Sequence, residues 1–232
     1  MAEPNTERSE CILAAAAALI ARYGYDKTTV DEIAHEAGVS KGAIYLHYKG
    51  KEALFDALLL RESESLAREL LARLDADPRG ATLFNVYRYS LIALAENPLL
   101  KAVYAKDRRV LGDYMRRLRG QGMIQSGFGV SVDFVKKYQT LGLIRADIAP
   151  EIVVYMMSVI RQGFFTLDEF LPGLPLPPLA AFGAALGDLL EDGLGGDADE
   201  SVGREATEEL RRLLAWGVDA LKSMRTKGDE TP

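Results

Sequence analysis

The chain has 232 residues, with 34 acidic against 28 basic side chains and a net charge of −6. That balance excludes a protein that coats nucleic acid by charge alone, which would be basic overall. One cysteine, Cys11, excludes an intramolecular disulfide, and two histidines, His35 and His47, leave little material for thiol or imidazole catalysis.

Residues 1 to 6 show no periodic pattern and read as a frayed start. A first helix is expected from about Glu7 to Tyr23, with Ile12, Ala15, Ala16, Leu19, Ile20 and Tyr23 on one stripe. The run CILAAAAALIA over 11–21 resembles the apolar part of a signal peptide, but acidic EPNTERSE precedes it where a signal would be positive. It is also far short of the roughly 20 residues needed to span a bilayer. It reads as a core helix of a soluble, cytoplasmic protein, with Cys11 an inert buried thiol.

The next stretch, TTVDEIAHEAGVSKGAIYLHYKGK over 28–51, organises the rest. Val30, Ile33, Ala34 and Ala37 recur at i, i+3, i+4 and i+7, the spacing of one helix face. Thr29 with Glu32 three residues on is a capping box, and Gly38 is the expected left-handed stop. Ser40 then caps a second helix reaching about Tyr48. From Gly38 to Lys51 there are three lysines and His47 and no acid, so positive charge is local to this second helix. Small Gly42 and Ala43 let backbone approach base edges, while Tyr45, His47 and Lys51 can reach phosphates. Helix, glycine turn, helix is the plan of a helix-turn-helix reader.

Over 10–59 the chain resembles the N-terminal domain of the TetR family of bacterial transcriptional regulators. The resemblance rests on Ala21-Arg22-Tyr23-Gly24-Tyr25, Thr28-Thr29-Val30-Asp31-Glu32-Ile33-Ala34, Ala37-Gly38-Val39-Ser40-Lys41-Gly42-Ala43-Ile44-Tyr45 and His47-Tyr48-Lys49-Gly50-Lys51-Glu52-Ala53-Leu54. It implies base-edge contacts from Lys41, Gly42, Ala43 and Leu46, and phosphate contacts from Thr28, Thr29, Ser40, Tyr45, His47 and Lys51. Leu46 departs from the aromatic or polar residue common at that position.

A long helix follows Gly50 to about Asp75, apolar at Leu54, Phe55, Leu58, Leu59, Leu66 and Leu70, and is expected to act as a lever. The domain boundary is placed inside it, giving a DNA-binding domain over 1–52 and a helical regulatory and dimerisation domain over 53–232. Helical patterns continue near 81–95, 99–106, 108–118, 130–141, 149–167, 177–191 and 202–224, with no alternating strand pattern, so the fold class is all-α. Residues 173–178 hold three prolines and read as a loop, and glycine-rich, acidic 193–200 reads as mobile. The apolar stripes at 177–191 and 202–224 suit an intramolecular core or a dimer equally. The resemblance implies a homodimer through the last helices.

The helix at 149–167 is apolar nearly all round and is expected at the centre of the body. The resemblance implies that the body binds a small-molecule effector, and Tyr87, Tyr104, Tyr138, Tyr155, Met156, Arg161 and Phe164 are the candidate lining. No zinc-protease pair, phosphate loop or serine elbow occurs, so no catalytic residue, metal or cofactor is expected. The expected function is a ligand-responsive repressor that binds palindromic operator DNA as a homodimer, with no membrane partner. The alternative is a helix-turn-helix protein whose body binds a protein partner and no small ligand.

Overall fold

The computed structural model describes residues 4–116, 123–171, 173, 175, 177–198 and 202–229. Residues 1–3 of the frayed start, 117 and 118 of the helix expected over 108–118, 174 and 176 of the proline-rich loop, and 199 and 200 of the acidic loop lie outside them. Eleven α-helices are described: α1 Pro4–Tyr23, α2 Val30–Glu36, α3 Lys41–His47, α4 Lys51–Ala76, α5 Leu83–Glu96, α6 Pro98–Ala105, α7 Arg108–Leu111, α8 Met123–Thr140, α9 Pro150–Phe170, α10 Leu179–Leu194 and α11 Gly203–Asp229. Among the described residues there is no strand, only an isolated antiparallel bridge between Ile144 and Gly195. No described helix is long and apolar enough to cross a membrane.

The chain divides into two compact units. The first gathers Met1–Glu64, Pro98–Gln121 and Val218–Pro232, and the second Ser65–Asn97 and Gly122–Gly217.

The first unit is built on α1, whose Ile12, Ala16 and Ile20 stand at i, i+4 and i+8 and are fully buried. Ile33 of α2, Ile44 of α3 and Leu54, Phe55 and Leu58 of α4 are likewise sealed from solvent, and α1 packs on α2 and α2 on α3. Each such side chain contributes about 1.5–3 kcal/mol of burial, so the short α2 and α3, too small to persist alone, are held by this core. Cys11 is exposed, not buried as expected. It lies one residue, roughly 100° of helix turn, away from the Ile12 stripe. Tyr23 is also largely exposed, with Arg22 stacked over its ring at 4.9 Å.

The stop after α1 is fixed from within the same unit. Gly24 has φ +85°, and a Cβ there would fall 2.4 Å from the Arg109 carbonyl oxygen. The Tyr25 amide donates to the Val110 carbonyl at 2.7 Å. Tyr25, Phe55 and Tyr114 then pack ring to ring, with centroids 4.4–5.5 Å apart.

The second unit centres on α5 against α10 and α8 against α9. Phe84 of α5 sits where a side chain at Gly187 of α10 would be, so only glycine permits that approach. Tyr138 is fully buried, with its hydroxyl 2.9 Å from the Ala81 carbonyl oxygen and 3.2 Å from that of Ala206. On α11, Ala206 and Leu210 are buried in this same core. That half of the expected dimer stripe is therefore covered by its own chain.

The outer side of α9 differs from the central helix expected. Val153, Val154, Met157 and Phe165 face inward, but Ile152, Tyr155, Met156, Val159 and Leu167 are exposed. Apolar composition on all sides gives no sign of which face the chain itself covers.

Candidate nucleic-acid interface

The capping box at α2 is complete. The Thr29 amide donates to Glu32 Oε2 at 2.8 Å, and the Glu32 amide donates to Thr29 Oγ1 at 3.2 Å. The Thr29 hydroxyl also donates to Glu32 Oε2, at 2.8 Å. These bonds from the Thr29 amide and hydroxyl hold the Glu32 carboxyl below its ordinary pKa. Gly38 takes φ +66° and closes the helix. Ser40, in extended conformation, caps α3 by accepting the Ala43 amide at 3.1 Å.

From that cap α3 presents two sides. Ile44 is sealed in the core. Lys41, Gly42, Tyr45 and Leu46 are exposed, and on an ideal helix these four positions span roughly 140° of its circumference. Leu46 is 86% exposed, an apolar side chain with nothing of its own chain to cover it. Ala43 and His47, on the side of the helix turned away from this arc, are half-buried. Beside the arc, a groove of about 620 Å³ is lined by Ser9, Leu13, Tyr45, His47, Arg61 and Glu64, among others.

Two of the ten sequence candidates are engaged inside the unit. Thr28 is 1% exposed and its hydroxyl donates to the Gly24 carbonyl at 2.9 Å. The Lys51 ammonium donates to the Tyr25 and Thr28 carbonyls at 2.7 and 2.9 Å, and lies 4.2 Å from the Tyr25 ring centroid. Burial pushes its pKa below the ordinary lysine value, against the opposing charges of Asp26 and Glu32. Thr29, Ser40, Lys41, Gly42, Ala43, Tyr45, Leu46 and His47 are brought together along α3 and the start of α2.

Sequence reasoning missed the partners that set this geometry. Asp31 holds the Lys41 ammonium at 2.9 Å. Asp26 Oδ1 accepts the Asp113 amide at 3.0 Å, which ties the loop before α2 to the segment after α7. Asp31 stands ten residues from Lys41, and only its opposite charge hints at the pairing.

The seven candidates for a ligand lining are not brought to one place. Tyr104 belongs to the first unit and the other six to the second. Tyr138 is core, and Tyr155 and Met156 lie on the open side of α9. Tyr87 donates its hydroxyl to the Met157 carbonyl at 2.6 Å, and burial pushes its pKa well above the ordinary tyrosine value despite nearby Arg161. Phe164 stacks on Phe182 with centroids 5.0 Å apart. Among the described residues no group of three or more histidine, cysteine or acidic side chains could hold a metal ion.

Residues 12–58 match the family described as "Bacterial regulatory proteins, tetR family". Over 48 residues the chain is 52% identical to the uncharacterized HTH-type transcriptional regulator YerO of Bacillus subtilis (strain 168), covering 21% of this chain and 17% of that protein. Over 176 residues it is 27% identical to the "Probable acrEF/envCD operon repressor" of Escherichia coli (strain K12), covering 71% of this chain and 75% of that one. Relatives more than 30% identical are matched over only 17 to 37% of their own length. In fold the chain is similar to the transcriptional regulator FadR from Bacillus subtilis in complex with stearoyl-CoA, with a TM-score of 0.59 at 20% identity over 79% of this chain and 98% of that one. Over residues 12–58 the chain thus carries a segment that matches the TetR family of bacterial regulatory proteins, and the fold around it is similar to that of such regulators.

Proposed function

We propose that the chain is a homodimeric transcriptional repressor that reads palindromic operator DNA through α3 and is released from it by a small molecule. The observation that carries this reading is the open arc of Lys41, Gly42, Tyr45 and Leu46 on a capped helix seated by Ile44. A helix about 10–12 Å across fits a major groove about 12 Å wide. Lys41 and Leu46 face base edges, with Gly42 and Ala43 allowing close approach. Leu46 suits a thymine methyl group. Thr29, Ser40, Tyr45 and His47 stand at the backbone. Thr28 and Lys51 serve from inside, holding the loop that sets the angle between α1 and α2.

One short helix covers few base pairs, so a two-fold dimer is needed to double the site. The exposed side of α9 supplies a self-complementary face, with Ile152, Tyr155, Met156 and Val159 at i, i+3, i+4 and i+7. Leu189 of α10, 67% exposed, extends the apolar surface. To read a palindrome the two α3 helices of such a dimer must stand about one DNA turn apart, roughly 34–36 Å. A small molecule bound in the body then lowers DNA affinity by as much as it prefers another spacing. The stearoyl-CoA complex of FadR supports such a role for a body of this fold. Tyr87 and Arg161, which interact electrostatically, and Phe164, stacked on Phe182, are the candidates kept for a ligand lining.

Fluorescence anisotropy against short duplexes from the protein's genomic neighbourhood, across a salt series, tests the reading. A selective palindromic duplex whose affinity falls steeply with salt is the expected result. Leu46→Ala should weaken that duplex and leave a scrambled one unchanged. Failure to find any selective duplex would sink the reading.

A further inference from the structure

Lys41 stands at the first position of α3, on the open arc. Its ammonium is held at 2.9 Å by Asp31, from the first turn of α2. Both side chains are exposed, at 51% and 66%, so the pair is neither forced by burial nor needed to neutralise a core charge. The neighbouring Glu32 is already engaged by Thr29 in the capping box. Asp31 is thus a carboxylate set against the reading face.

The consequence differs for the two kinds of acceptor that DNA offers. An ammonium carries three donors. A neutral base-edge acceptor, such as the O6 or N7 of guanine, can take one of them while Asp31 keeps another. A phosphate cannot share so easily, because its negative charge and that of Asp31 repel at this range. It must displace the carboxylate or accept the repulsion. The penalty falls on phosphate contact, which is independent of sequence, and spares base contact, which reads it.

We infer that Asp31 is a specificity-determining residue that reserves Lys41 for base edges and discounts its use on phosphates. This rests on the reading of α3 as the DNA-reading helix. Asp31 touches no DNA in this scheme. It acts through Lys41 as a positioning residue.

The test compares wild type, Asp31→Asn, Lys41→Met and the double variant by anisotropy on the selective duplex and on a scrambled duplex of equal length, from 50 to 200 mM salt. Asp31→Asn should tighten the scrambled duplex about three- to fivefold, the size of an exposed ion pair. Its salt slope on that duplex should steepen by roughly 0.9, the release from one further phosphate contact. The selective duplex should gain less, so discrimination falls. In the Lys41→Met background the Asp31 substitution should have no effect on either duplex. Thermal unfolding of each variant separates these effects from loss of fold. A wild type that discriminates while Asp31→Asn leaves scrambled affinity and salt slope unchanged overturns the inference and spares the reading. A wild type with no selective duplex overturns both.

Discussion

The Tyr114 hydroxyl donates to Asp56 Oδ1 at 2.5 Å, and both residues are buried, at 3% and 4% exposure. They stand 58 positions apart in the chain and join α4 to the segment after α7 within the first unit. The same Tyr114 ring packs edge-on against Phe55. A carboxylate in this apolar setting depends on its donors. Tyr114→Phe keeps the ring contacts and removes one donor, which should cost about 1–3 kcal/mol. Urea unfolding followed by circular dichroism checks it, and stability equal to wild type would mean the bond is not needed.

Lys51 separates two roles that look alike in sequence. Lys51→Met keeps an unbranched apolar side chain but loses the ammonium's contact with the Tyr25 ring and two hydrogen bonds to the loop carbonyls. It should lower stability by about 1–3 kcal/mol and weaken all DNA binding without changing the salt slope. A phosphate contact would instead reduce that slope by roughly 0.9 with stability intact.

The capping box gives an acid-side prediction. The Glu32 carboxyl is held below its ordinary 4.5 by the Thr29 amide and hydroxyl. Its folded pKa lies below its unfolded one, so the contribution is present above about pH 4.5 and is lost as pH falls through the folded value. Glu32→Gln can still accept the Thr29 amide but cannot titrate. Its melting temperature should therefore fall less steeply than wild type between pH 5 and 3. Parallel melting curves would remove Glu32 from the acid response.

Val159 tests the dimer face. Val159→Glu, on the exposed side of α9, should leave the monomer fold intact, since surface changes are usually within about 0.5 kcal/mol. It should shift sedimentation from dimer to monomer and abolish tight binding to a palindrome while leaving half-site binding. A variant that sediments as the wild type would place the interface elsewhere.

What could be read in advance was local. Thr29 with Glu32, Gly38 and Ser40 fix their turns through partners three or four residues away, so spacing alone reveals them. The bounds of α4 follow from Gly50 before it and Pro78 after it. The Lys51 contacts reach back 23 and 26 residues, and no periodicity reports such a distance. Burial was legible by stripe but not by occupant. The Ala206 and Leu210 stripe of α11 and the Ile152 and Val159 stripe of α9 look the same in sequence, yet the chain covers the first and leaves the second open. Tyr138 resembles a pocket residue by type, and its two carbonyl neighbours make it a strut.

The first unit is assembled from three separate stretches of chain. Tyr25, Phe55 and Tyr114 share one aromatic cluster, and Gly24 rests against Arg109. A chimera that exchanges DNA heads between such regulators by a single cut within α4 would therefore graft half a fold. The transplant that keeps this aromatic support must carry the segment from Pro98 through Arg116 along with the reading helices, so one continuous piece is not enough.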